Sequence, residues 1–136
     1  MAAPELPMID IQIIFDAGSA QDGKLSGQAL LTNAMLNEGA NGLDADQIAA
    51  AFDDVGARFG RSSQRDMAML SLRSLTAASA LKPALKLFRD ILIKPDFPQA
   101  SFDRIQKQLL LGLQAEKQSP SAIASRAFYK NVFGDR

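Results

Sequence analysis

The stretch MIDIQIIF, residues 8–15, restricts the fold more than any other part of the sequence. Its isoleucines alternate with other residues, with Ile9, Ile11 and Ile13 on one side and Met8, Asp10 and Gln12 on the other. This period of two is typical of a β-strand that packs one face on a core. A strand needs a partner, so the rest of the chain has to supply a sheet.

The next segments carry signals of two helices. Ser26 is the expected N-cap of the first helix, which the sequence predicts to end at Gly39 in a left-handed C-cap. Asp44 is the expected N-cap of the second helix, and Gln47 stands three residues later as in a capping box. Gly56 is expected to end this second helix.

The run from Phe59 to about Thr76 lacks helical spacing and predicts one long strand or two paired strands. Helical spacing then returns three times, and each helix has an expected buried stripe. These stripes are Leu81, Leu85, Phe88 and Leu92 in the third helix, Phe102, Ile105, Leu109 and Leu113 in the fourth, and Ile123, Ala127 and Phe128 in the fifth.

This order predicts an α+β fold, a mixed or antiparallel sheet with helices packed on one face. A chain of 136 residues with 47% hydrophobic content is enough for one domain with one core. The first strand starts near residue 1 and no strand follows the last helix. We therefore expect residues 1–136 to be a single α+β domain, a truncated N-terminal half of a longer two-domain protein.

Composition excludes several function classes. The chain has no cysteine and no histidine, which removes most zinc, copper and haem sites and every catalytic dyad that needs thiolate or imidazole. Its 15 basic and 15 acidic residues cancel, which disfavours binding to nucleic acid phosphates. The start MAAPELP lacks the basic and apolar blocks of a signal peptide.

Several pieces, taken in order, resemble one enzyme family. They are a strand ending in GS, an apolar helix that opens on Gly and closes in EG, a capped helix ending in VGA, a strand containing RD, and a long helix leading to FGD. Together they are similar to the insulinase/pitrilysin-type zinc peptidases, over nearly the whole chain. The resemblance rests on the order and spacing of the pieces.

Active members of that family carry the motif H-x-x-E-H on the first helix, where two His hold zinc and the Glu activates a water molecule. By this resemblance the two His positions fall on Leu30 and Ala34, and the general base falls on Asn33. The third ligand, a Glu on the later long helix, falls on Leu111. The resemblance thus implies no catalytic residue and no metal site in this chain, with an apolar plug of leucine and alanine where the metal would lie.

The same resemblance implies a candidate substrate contact. In the family an edge strand pairs with an extended peptide through main-chain hydrogen bonds. The corresponding stretch here is FGRSS, residues Phe59, Gly60, Arg61, Ser62 and Ser63. A solvated edge protected by the charges of Arg58 and Arg61 is the other interpretation.

The resemblance therefore implies a catalytically silent, zinc-peptidase-like subunit that is not an enzyme by itself. It would pair with a metal-bearing homologue and help to enclose extended peptides, with zinc only in that partner and no cofactor of its own. Resemblance to bacterial members implies a periplasmic or cell-envelope location. A homodimer of the fragment is kept as a further partner, because truncation exposes sheet edges.

Two other functions stay open at this point. One is a structural or assembly scaffold of the same fold with no role in proteolysis. The other is an active peptidase whose metal site lies elsewhere in a longer chain.

Overall fold

The computed structural model describes residues 7–134 as five helices and two small antiparallel sheets. The strands are β1 (Met8–Phe15), β2 (Gly39–Ala40), β3 (Leu43–Asp44), β4 (Arg58–Ser63) and β5 (Ala68–Leu75). The helices are α1 (Gln28–Met35), α2 (Ala45–Asp54), α3 (Ala78–Ile93), α4 (Gln99–Glu116) and α5 (Pro120–Phe133), and a 3₁₀ turn spans Ser19–Gln21. The predicted α+β class is confirmed.

The larger sheet has the order β1-β5-β4, and both pairings are antiparallel. The run from Phe59 to Thr76 therefore forms two paired strands, the second of the two arrangements that the sequence allowed. Ile11 lies opposite Leu72, which in turn lies opposite Phe59, so one face of the sheet carries a continuous apolar row. The free edges of this sheet are β1 on one side and β4 on the other.

Helices α2 and α3 cover that apolar row. Their side chains form the main core with Leu70 and Leu72, through Ile48 and Phe52 of α2 and Ala84, Leu87, Phe88 and Ile91 of α3. Phe59 stacks on Phe52 with ring centroids 5.8 Å apart. Helices α1 and α4 form a second, smaller cluster of Ala34, Met35 and Ile105, flanked by Leu31, Phe102 and Leu109.

The expected stripes of the last three helices are only partly right. In α3 the buried face contains Ala80, Ala84, Leu87 and Ile91 together with Phe88, whereas Leu85 is exposed. In α4 the stripe is buried at Ile105 and ends before Leu113, which is 45% exposed. In α5 no residue is buried among those that the structure describes, so its expected stripe of Ile123, Ala127 and Phe128 is exposed.

Helix α2 has the capping box that the sequence predicts. Asp44 Oδ1 accepts a hydrogen bond from the Gln47 backbone N–H at 2.8 Å, and Gln47 Oε1 accepts one from the Asp44 backbone N–H at 3.0 Å. Gly56, with φ of 64°, follows the C-cap and ends the helix as expected.

Removing this cap should destabilise the protein measurably. We expect Asp44→Ala to lower the free energy of unfolding by about 1 kcal/mol, because the Gln47 backbone N–H loses its side-chain acceptor. Urea unfolding followed by circular dichroism measures the change. The matched control is Asp53→Ala, which removes the same charge from the other end of α2; an equal loss in both variants would contradict a capping role.

The β2–β3 hairpin is fixed to α3 by a buried carboxylate. Asp90 is 5% exposed, and its Oδ1 accepts from Arg89 Nη2 at 2.9 Å. Its Oδ2 accepts from Asn41 Nδ2 at 3.2 Å. The hydrogen bond from Arg89 lowers the pKa of Asp90 below its ordinary value, although burial acts in the opposite direction. The stabilised species is therefore the ionised carboxylate.

This depressed pKa predicts a pH-dependent contribution to stability. A lowered folded-state pKa adds stability above the unfolded-state value of about 3.8, and the contribution is lost as the pH falls through the folded-state pKa. We expect Asp90→Asn to be less stable than the wild type at pH 7 and the difference to shrink below about pH 4. Denaturant unfolding across this range tests it, with Asp53→Asn as the control; a constant difference at all pH values would contradict it.

No helix in the described range is long and apolar enough to cross a membrane.

Candidate functional site

Helix α1 carries the positions on which the zinc motif falls, and its start differs from the prediction. Gly27, with φ of 93°, is the N-cap residue and has no capping side chain. Instead Asp22 reaches forward from the preceding loop and accepts hydrogen bonds from the backbone N–H groups of Gly27 and Ala29, both at 2.7 Å. The prediction of Ser26 as N-cap is wrong, because a carboxylate from the loop already takes these donors.

The end of α1 also differs from the prediction. The helix stops at Met35 with Leu36 as its C-cap, and Gly39 lies in strand β2 instead of a left-handed cap. A Cβ added at Gly39 would lie 2.9 Å from Pro98 Cγ. Gly39 is thus needed for the close approach of the segment before α4, which holds α4 beside α1.

The three motif positions on α1 differ in exposure. Leu30 is 41% exposed, whereas Ala34 is 7% exposed and packs in the cluster with α4. Asn33 is 4% exposed, and its Nδ2 has no hydrogen-bond partner among residues 7–134. A buried amide without a partner costs free energy, so Asn33 is a poor choice for packing alone.

The expected apolar plug does not form. Leu111 is 65% exposed and lies outside the cluster that α1 and α4 share. Since an α-helix turns about 100° per residue, Leu111 lies about 200° around α4 from Leu109. Gly112 lies only about 60° from Leu109 in the other direction, and therefore on the stripe that faces α1. A Cβ at Gly112 would meet nothing within 4 Å, so this stripe has open space there.

These positions do not fit a zinc ion. Zinc in proteins takes nitrogen, sulfur or carboxylate oxygen ligands, and Leu30, Ala34 and Leu111 offer none of these. In the part of the chain that the structure describes, no three acidic side chains lie close enough together to hold a metal ion.

Beside Asn33 the fold leaves a cavity of about 390 Å³ between α1 and the sheet. It is bounded by Ala29 and Thr32 of α1, by Leu36 at the C-cap of this helix and by Leu70 of β5. Asp22, the capping carboxylate of α1, also lies on its wall. The cavity is mainly apolar and has room for a small side chain or ligand.

The five candidate substrate-contact residues lie in strand β4 and differ in what they present. Phe59 packs in the core between Phe52 and Phe88, so only its backbone reaches the edge. Gly60 and Ser63 pair with β5 opposite Ser71 and Ala68.

The other two residues of this strand carry polar side chains. Ser62 Oγ is buried and has no hydrogen-bond partner in the described part of the chain. Arg61 is exposed, and its Nε donates to Asn37 Oδ1 at 2.8 Å. The structure thus brings β4 next to the C-terminal end of α1.

A charged cluster at this junction was not predicted from the sequence. Glu38, only 8% exposed, accepts a hydrogen bond from Arg104 Nη2 of α4. Arg61 is electrostatically coupled to the same carboxylate. Glu38 and Arg104 are 66 residues apart in the sequence, so no local pattern indicates the pair.

Comparison with solved structures agrees with this geometry. A crystal structure of the peptidase M16 inactive domain from Pseudomonas fluorescens is 52% identical, with a TM-score of 0.90 over 93% of this chain. A protease from Helicobacter pylori is 18% identical, with a TM-score of 0.75 over 86% of this chain, and shows the shared fold alone. The chain spans 31% and 28% of the lengths of these two proteins.

No curated protein matches the chain significantly. The family model of the insulinases, peptidase family M16, matches residues 3–136. This match covers nearly the whole chain and confirms the resemblance inferred from the order of its segments. The chain belongs to the insulinase family of peptidases, family M16.

Proposed function

We propose that this chain is a catalytically silent peptidase-like subunit that pairs with a metal-bearing homologue and helps to bind its peptide substrates. The observation that carries the proposal is the chemistry of α1. Leu30, Asn33 and Ala34 stand at the positions of the H-x-x-E-H motif, and none of the three ionises near neutral pH. The inactive M16 domain that resembles this chain supports the same role.

Hydrolysis in this mechanism belongs to the partner. A zinc-bound water needs a general base to accept its proton, and the amide of Asn33 does not accept one at neutral pH. The chain therefore contributes binding and enclosure, and zinc is expected only in the partner.

Strand β4 is the surface that we assign to the peptide. Its outer edge is not paired with any described strand, so its backbone N–H and C=O groups are available to an extended chain. Residues Phe59, Gly60, Arg61, Ser62 and Ser63 would supply this edge. Phe59 anchors the strand in the core through its ring contacts with Phe52 and Phe88.

The proposal also includes a longer protein. The similar domain from Pseudomonas fluorescens belongs to a chain about three times as long, which supports residues 1–136 being part of a longer protein. Its division into two such domains is proposed by resemblance to the family. A periplasmic or cell-envelope location is proposed by resemblance to bacterial members of the family.

The test mixes this protein with a metal-bearing homologue from the same organism and follows cleavage of a quenched fluorescent peptide. We expect activity only in the mixture, with one zinc per pair. The matched control is the same mixture with the partner's general-base Glu replaced by Gln, which should be inactive. Activity of this protein alone, abolished by a chelator, would overturn the proposal.

The same experiment separates the scaffold function. A scaffold would form the pair without producing cleavage beyond that of the partner alone. A chamber subunit is expected to make the pair active, because part of the peptide is bound by β4.

A further inference from the structure

The side chain of Arg61 points from β4 toward the end of helix α1. Side chains alternate along a strand, so Arg61 shares the face of Phe59, which packs in the core, and Arg58 lies on the opposite face. The guanidinium of Arg61 consequently lies on the α1 side of the β4 edge, where its Nε donates to Asn37 Oδ1 at 2.8 Å. This hydrogen bond fixes the orientation of the planar group.

The guanidinium of Arg61 has two terminal nitrogens in addition to the Nε that binds Asn37. The two terminal nitrogens of Arg61 make no hydrogen bond with any residue in the range 7–134. They form the outer side of the guanidinium fork, whose geometry matches the two oxygens of a carboxylate. The guanidinium is thus held by Asn37 at its Nε, and its terminal nitrogens are available to bind a carboxylate.

The carboxylate of Glu38 acts electrostatically on Arg61. Glu38 is buried, and its hydrogen bond and ion pair are made with Arg104 of α4. Partial burial lowers the pKa of Arg61, and Glu38 only partly opposes this effect, so a further anion would be favourable here.

The geometry points to Arg61 as a carboxylate-binding group that selects extended peptides carrying an acidic side chain or a C-terminal carboxylate next to the β4 edge. This inference rests on the proposed function, because it assigns a substrate class to the same edge. A peptide strand beside β4 directs alternate side chains toward the face of Arg61, and an aspartate or glutamate at one of these positions reaches the fork.

The test compares two short peptides, acetylated and amidated, which are rich in Val and Thr and differ only in one central residue, Glu or Gln. Fluorescence anisotropy measures the affinity of this protein for each peptide. We expect the Glu peptide to bind about ten-fold more tightly than the Gln peptide, as for one charge-assisted hydrogen-bonded pair. The preference should weaken as the salt concentration rises.

Three variants assign the preference to one side chain. Arg61→Ala should bind both peptides with the affinity of the Gln peptide. Arg61→Lys keeps the charge but loses the fork, so a smaller preference should remain. Arg58→Ala removes the same charge from the opposite face of the same strand and should keep the full preference.

The outcomes distinguish this inference from the proposed function. Equal affinity of the wild type for both peptides overturns the carboxylate site and leaves peptide binding in place. A preference that Arg61→Ala retains overturns the assignment to Arg61. Failure of both peptides to bind overturns both the site and the peptide-binding role of β4.

Discussion

A variant with Leu30→His, Asn33→Glu, Ala34→His and Gly112→Glu is expected to bind one zinc per chain. The first three changes restore H-x-x-E-H on α1, and the fourth adds a carboxylate on the stripe of α4 that faces α1. Zinc at 100 times its Kd would stabilise this variant by about 2.7 kcal/mol, which a thermal-shift assay detects as a rise in Tm. Zinc per chain is measured by atomic absorption after desalting.

The matched control carries the same three changes on α1 with Leu111→Glu in place of Gly112→Glu. Leu111 is 65% exposed and points away from the face shared with α1, so its carboxylate should not complete the site. We expect this control to bind zinc more weakly and to gain less stability from it. Equal binding by both variants would show that the facing residue of α4 is wrongly assigned.

Overpacking affects both variants alike. Ala34 is 7% exposed, and a His in its place is expected to cost about 1–3 kcal/mol in the absence of metal. The comparison therefore uses the change in Tm on adding zinc to each variant, in which this common cost cancels.

Ile91→Ala is expected to lower the free energy of unfolding by about 3–4 kcal/mol. Ile91 is 0% exposed and packs in the main core between α3 and the sheet, so the truncation leaves a cavity that close-packed neighbours fill only partly. Urea unfolding measures the loss. It should appear mainly as a lower midpoint with an unchanged slope.

The same helix supplies the control for this prediction. Ile93 is 63% exposed and lies two residues further along α3. We expect Ile93→Ala to change the stability by less than about 0.5 kcal/mol. Similar losses at both positions would mean that the buried face of α3 is wrongly assigned.

The features that the sequence predicts correctly are those that depend on neighbouring residues. The capping box of Asp44 and Gln47 closes within three residues, and Gly56 ends α2 through its own backbone conformation. The strand predicted from alternating isoleucines is also correct, with Ile11 and Ile13 packed against the core, although Ile9 is 36% exposed. The α+β class follows from the order of such local signals.

The predictions that failed concern which face of a helix is buried and which residue caps it, where the local sequence offers two candidates. In α3, apolar residues occur on two overlapping stripes, and the core with β5 takes the one with Ala84, Leu87 and Ile91, while Leu85 is 37% exposed. For α1, Ser26 offered a plausible cap, but the loop brings Asp22 to the same donors. The family match confirms the resemblance, while the roles of Leu30, Asn33, Ala34 and Leu111 stay predictions.

By itself the sequence determined that this protein is an α+β domain without histidine or cysteine, because composition and local periodicity do not depend on distant contacts. Only the tertiary structure decided which residues meet at the candidate site. Arg104 of α4 donates a hydrogen bond to Glu38, and Arg61 of β4 lies within electrostatic reach of the same carboxylate. Contacts between residues so far apart in the sequence depend on how the helices and strands pack. Where the local sequence fits either of two faces, this packing decides which face is buried.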